Sequence, residues 1–188
     1  MNDDTPDLTH QFLIAMPSLS DPNFSQTVTY VCQHDAQGAM GVVINRPTDV
    51  SLDSVLEQME LHTDQVDVAT QPVYSGGPVN TERGFILHRP VGHWEASLVV
   101  GDDIALTRSR DILEAMSLGA GPLEAMLLLG YAGWQAGQLE QEMADNAWLS
   151  GPADPAVIFH TPPEQRWQAA ARALGVDMTL LSSEVGHA

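Results

Sequence analysis

Residues 27–46, TVTYVCQHDAQGAMGVVINR, constrain the fold most, because they hold two strand-length runs joined by a short turn. The first run alternates: Val28, Tyr30, Cys32 and His34 fall on one face, and Thr27, Thr29, Val31 and Gln33 on the other. After the DAQG turn, Met40, Val42 and Ile44 face one side while Ala39 and Val43 face the other. A strand that is apolar on both faces has to be covered on both, so the chain must build layers around a sheet.

Further strands are expected at 12–16, 83–88, 96–100 and 103–106, with Asp102 and Asp103 turning between the last two. Leu52, Val55, Leu56 and Met59 have helical spacing and predict a helix over 51–61 with Ser51 as its cap. Residues 62–73 read as a polar connection. A short helix is expected from Thr107 or Ser109 to Ser117, a buried strand at 125–131, and a helix from Gln135 to Asp145. Strands are expected again at 156–160 and 176–181. Between them Thr161 and Glu164 form a capping-box pattern for a helix whose buried stripe is Trp167, Ala170, Ala171 and Leu174, with Gly175 at its end. Strands and helices that mix without strict alternation predict an α+β fold around a mixed sheet. No internal repeat or linker divides the chain, so residues 1–188 are expected to form one domain, with a flexible start (1–9) and a loose tail (182–188).

Charge narrows the possible partners. The chain carries 25 acidic residues against 7 arginines and no lysine, a formal net charge of −18. That excess opposes the counterion release that drives binding to DNA and to anionic membranes. Direct nucleic-acid binding is therefore disfavoured, and the paired Arg108 and Arg110 at a helix start are the nearest thing to a basic recognition helix. No apolar run is long enough to span a membrane, and the acidic N-terminus lacks the pattern of a signal peptide. A single cysteine, Cys32, rules out an internal disulfide and fits a reducing compartment. These features together predict the cytoplasm.

Nucleotide and hydrolase motifs fail on chemistry. A phosphate-binding Walker loop needs a lysine, and GAGPLE places Glu124 where a dinucleotide fingerprint needs its third glycine. There is no G-x-S-x-G elbow and no H-E-x-x-H helix. The seven histidines lack metal-ligand spacing, so neither a metal nor a cofactor is expected.

Two candidate constellations remain. Cys32 and His34 share a strand face in the alternating reading, and an adjacent imidazolium can activate a thiol for catalysis or redox sensing. The alternative is a buried structural cysteine. Arginine supplies the second. Arg46 ends a buried strand in INRP, and Arg83 follows the Gly76–Gly77–Pro78 turn in YSGGPVNTERGFILH. With Asn45, Gly76, Gly77 and His34 they can form a site for a small anion, the guanidinium forks and turn amides receiving a carboxylate or phosphate. The competing reading pairs each arginine with a carboxylate of the chain itself.

Four segments (FLIAMPSLSDPNF, YVCQHDAQGAMGVVINRP, YSGGPVNTERGFILH and GYAGWQAGQLEQEMADNAW) occur in the order and spacing of the AlgH family, also called YqgE-like, and AVIFHTPPEQRWQAAARALG continues the match. The resemblance implies a bacterial, cytosolic α+β domain with a partly barrel-like sheet. It carries a label of transcriptional regulator, with no established reaction and no agreed catalytic residues to transfer. The acidity and lack of lysine depart from what direct DNA binding needs. The chain is thus expected to be a non-enzymatic regulatory or binding protein engaging a small anion or a protein partner, with any effect on transcription indirect. A thiol enzyme or redox sensor and a direct DNA-binding regulator are the alternatives.

Overall fold

The computed structural model describes residues 6–184, which form ten strands and seven α-helices. The strands are β1 (Gln11–Ala15), β2 (Val28–Asp35), β3 (Gly38–Val43), β4 (Pro47–Ser51), β5 (Pro72–Ser75), β6 (Val79–Arg89), β7 (Ser97–Val99), β8 (Ala105–Thr107), β9 (Glu124–Gln135) and β10 (Trp148–Pro152). The helices are α1 (Leu52–Gln58), α2 (Val66–Ala69), α3 (Arg110–Ser117), α4 (Gln138–Ala144), α5 (Pro155–Phe159), α6 (Arg166–Arg172) and α7 (Met178–Glu184). The main path of the sheet runs β10-β1-β2-β3-β9-β6-β8-β7, and β5 joins β9 in parallel while carrying β4 on its other side. All other pairs are antiparallel, so the sheet is mixed, and it curls into a half-barrel.

β9 is the spine of that curl. Its first half pairs with β6 and its last four residues pair with β3. Between the halves Gly130 adopts φ +79, and the chain at Gly76 and Gly77 crosses close above it. A Cβ on Gly77 would overlap the Tyr131 carbonyl group, and one on Gly130 would overlap the Gly77 carbonyl oxygen. The two glycines therefore let two backbones touch where β9 bends.

Three apolar clusters fill the layers. Inside the curl lie Ile14, Tyr30, Val42, Phe85, Leu87 and Leu128, closed off by Ile158, Ala170 and Met178 of α5, α6 and α7. Outside one half, Leu13, Val31, Trp134 and Trp148 pack under Leu139 of α4. Outside the other half, Val73, Ile86 and Leu127 pack under α1 and α3. The strand expected to be covered on both faces is so covered: Val42 and Ile44 face the inner cluster, and Ala39 packs on the outer one.

Several elements differ from the sequence reading. The expected strand at 156–160 is instead helix α5 followed by its cap His160, because Asp154 accepts the Ala156 amide at 2.9 Å and Pro155 occupies the first helical position. Asp177 accepts the Thr179 amide in the same way, turning 176–181 from an expected strand into the start of α7. The capping box at Thr161 does not form. Its hydroxyl instead donates back to Ala156 O, and a 3₁₀ turn at Pro163–Gln165 precedes α6. The polar connection 62–73 contains α2 and the start of β5, while β4 and β10 are short strands that carry no clear alternation. At the chain start Leu8 is buried and donates its amide to His34 Nδ1, whereas residues 1–5 lie outside the described residues. At the other end α7 runs to Glu184, and 185–188 lie outside the described residues.

Candidate functional site

Asn45 and Arg46 leave β3 at the end where the inner core closes, and both turn back onto the 21–27 loop. Asn45 Oδ1 accepts the Val28 amide, and its Nδ2 donates to Gln26 O. Arg46 donates to the carbonyls of Pro22, Asn23 and Ser25 at 2.8–2.9 Å. Burial lowers its pKa and the nearby Asp21 opposes that shift. The expected carboxylate partner is replaced by three main-chain carbonyls, and the pair braces a loop. Gly76 and Gly77 are likewise committed: the Gly76 amide donates to Leu129 O, and its carbonyl accepts from Val43 N.

His34 and Cys32 do not face each other. A β-bulge between Val31 and Gln33 breaks the alternation of β2. Cys32 therefore stays with the inner cluster, while His34 turns outward to Leu8 and to Glu140 of α4, 2.6 Å away. Glu140's own carboxyl is held below its ordinary value, chiefly by a backbone hydrogen bond and then by His34. Cys32 is 2% exposed, its thiol donates weakly to Tyr30 O, and burial pushes its pKa up to about 12. Such a thiol is almost wholly protonated at neutral pH and has no imidazole partner, which removes the basis for an activated nucleophile. Among the described residues no group of three or more histidine, cysteine or acidic side chains is placed to hold a metal ion, and no helix is long and apolar enough to cross a membrane.

Arg83 behaves differently. It is exposed and, among the described residues, its side chain has no hydrogen bond or ion pair. Five of the other six arginines are engaged. Arg46 holds carbonyls, Arg89 meets Glu124, Arg110 meets Glu114 and Met59 O, Arg166 meets Thr161 O and Ile44 O, and Arg172 lies in the field of Asp177. The sixth, Arg108, is as free as Arg83, and the two line one cavity of about 1050 Å³. That cavity opens at the mouth of the half-barrel. Met40, Phe85, Leu106 and Tyr131 supply its apolar wall, continuous with the inner core, and Phe85 packs edge-on against Tyr131. Gln33, Gln135 and Gln138 add amide groups, and Glu95 is the carboxylate on its lining.

The predicted anion constellation is thus divided. Arg46 and Asn45 line a separate cavity beside α6 and α7, His34 is buried against α4, and Arg83 keeps an open position with Arg108 as its partner. Sequence reasoning missed Arg108 because it sits beside Arg110 and reads as part of a helix start. Arg110 does bind within its helix, at Glu114, whereas Arg108 follows β8 and reaches the mouth.

A single curled-sheet domain with a half-apolar, arginine-bearing mouth is a binding architecture in its geometry. The chain matches the model of the AlgH-like family over residues 12–179 and belongs to that family. It is 58% identical over 180 residues to a UPF0301 protein of Thioalkalivibrio sulfidiphilus, covering 96% of each chain. It is 54% identical over 187 residues to one of Methylococcus capsulatus, covering both in full. The solution structure of the AlgH protein from Pseudomonas aeruginosa superposes with a TM-score of 0.80 at 49% identity over the whole of both chains. A crystal structure of a Corynebacterium diphtheriae protein shares the fold at 22% identity, with a TM-score of 0.74 over 97% of this chain and 94% of that one.

Proposed function

We propose that the chain is a cytoplasmic, non-enzymatic binding protein that takes a small organic anion at the mouth of the half-barrel. The carboxylate or phosphate meets Arg83 and Arg108, and the apolar body of the ligand lies on Phe85, Leu106 and Tyr131. One observation carries this reading. In a chain with 25 acidic residues, two arginines without any ion pair among the described residues line the same cavity. Free guanidinium groups beside an apolar wall match an amphiphilic anion better than a bare ion or a neutral hydrocarbon. Any influence on transcription then passes through ligand state, since the net charge of −18 opposes direct contact with DNA.

Phenyl phosphate is a suitable probe, with benzyl alcohol as its neutral counterpart. Phenyl phosphate raises the melting temperature of the native protein, by an amount corresponding to about 2.7 kcal/mol at one hundred times its Kd. Benzyl alcohol does not, and the double variant Arg83→Gln/Arg108→Gln loses the response. A response that survives in that variant contradicts the reading.

A second reading has its own observation. The outer edge of β7 ends the sheet path and exposes Leu98 and Val99 next to the same cavity. A partner segment added along β7 can carry the acidic group to Arg83 and Arg108. In that case an acidic peptide protects the β7 amides from hydrogen exchange, and phenyl phosphate competes with it.

A further inference from the structure

The most deeply buried positive charge of the described residues takes no part in the mouth cavity. Arg166, the first residue of α6, is 4% exposed. Its Nε–H donates to Thr161 O at 2.8 Å, one Nη1–H donates to Ile44 O, and the guanidinium carbon lies over the Tyr74 ring, 5.2 Å from its centroid. Those two bonds use two of the five N–H donors of a guanidinium. Among the described residues no carboxylate forms an ion pair with it. Carbonyl dipoles and an aromatic face offset part of the cost of burying a cation, but a full counter-charge offsets far more. Arg89, less buried, has such a counter-charge in Glu124.

Arg166 also borders a cavity of about 110 Å³. Gln71 and Tyr74 border it from β5 and the residue before it, Ala125 from the start of β9, and Ile158 and Phe159 from α5. One water occupies roughly 30 Å³, so the space suits a body of about three or four heavy atoms. It shares no lining residue with the mouth cavity.

We propose that this cavity is a second, separate anion site, selective for a small carboxylate-type monoanion of the size of formate, acetate or bicarbonate. The planar fork of Arg166 matches a carboxylate edge, and the Gln71 side-chain amide supplies a further donor. A dianion is disfavoured because Arg166 is the single cationic residue on the lining and nothing there offers a second charge a counter-ion. The anion neutralises the buried arginine and ties together α6, α5, β5 and β9 at the closed end of the inner core.

The test uses the full-length protein at constant ionic strength, with sodium acetate replacing sodium chloride, and with sodium phosphate as a comparison. Melting temperature and the NMR signal of the Arg166 side-chain Nε–H are the readouts. Acetate raises the melting temperature and shifts the Arg166 signal saturably, in the native protein and in Arg83→Gln/Arg108→Gln alike, while phosphate does neither. Arg166→Met loses two bonds to the backbone and can fail to fold, so Gln71→Glu carries the test: it places a carboxylate on the cavity wall and abolishes the acetate response in a folded protein. The proposal is overturned if acetate leaves the Arg166 signal unmoved, if phosphate moves it as strongly, or if Gln71→Glu responds like the native chain. A response lost only in Arg83→Gln/Arg108→Gln would assign acetate to the mouth and overturn it equally.

Discussion

At Gly77 a single methyl group decides whether two strands can cross. Its φ is +149, and an added Cβ overlaps the Tyr131 carbonyl group of β9. Backbone on both sides leaves nothing flexible to give way, so Gly77→Ala is expected to lower stability by at least about 3 kcal/mol in urea unfolding, from strain and overlap together. The SGGP motif is thus legible as a turn from composition, but its purpose is not, because the partner backbone is more than 50 residues away in sequence. His88 is fully buried on β6. Its Nδ1–H donates to Pro90 O, and its Nε2 accepts from the Thr107 hydroxyl, which fixes one neutral tautomer. Burial lowers its pKa, against a smaller opposing effect of the Pro90 hydrogen bond. The unfolded chain therefore binds the His88 proton first. From about pH 6.5 downward, towards the lowered native value, stability falls as pH falls. Urea midpoints at pH 7.5 and 5.5 measure that loss, and it is smaller in His88→Gln. An equal loss in both proteins would place the titration elsewhere. The Cys32–His34 pairing shows the limit of reading one strand alone. Strict alternation puts them together, and a one-residue bulge, which depends on the partner strand, puts them apart.

Among the elements, the 21–27 loop depends on a neighbouring strand end rather than on its own sequence. Arg46 and Asn45 hold it through four hydrogen bonds, and a fifth joins Asn45 to Val28 at the start of β2. Arg46→Gln removes the three from the guanidinium and should cost roughly 1–3 kcal/mol, while leaving the phenyl phosphate response intact. A variant that loses that response with little loss of stability would return Arg46 to the binding site. The central strands were legible because their apolar patterns are long. β6 and β9 still extend well past their expected ends, since Asn80–Glu82 and Gly130 interrupt the pattern where the sheet bends. The runs that form α5 and α7 suit either state, because branched and apolar runs of five or six residues carry no decisive period. In both, an aspartate accepting an amide two residues on settles the choice.

For the whole molecule, the curl of one sheet creates an inner core that is capped at one end by α5, α6 and α7 and open at the other. Fold class and a partly barrel-like sheet follow from the strand pattern together with the family resemblance. The binding site was legible only by half. Scarcity of arginine marks Arg83 as unusual, but nothing in the order of residues reveals that Arg108, just after β8, meets the same cavity while Arg46 does not. The central claim is that Arg83 and Arg108 receive an organic anion at the open end. Amide and arginine side-chain NMR shifts during a phenyl phosphate titration test it most directly. Saturable shifts confined to Arg83, Arg108 and the wall at Phe85, Leu106 and Tyr131 are the predicted result. Shifts centred on Arg46 and α6, or no saturable shift at either arginine of the mouth, would contradict it.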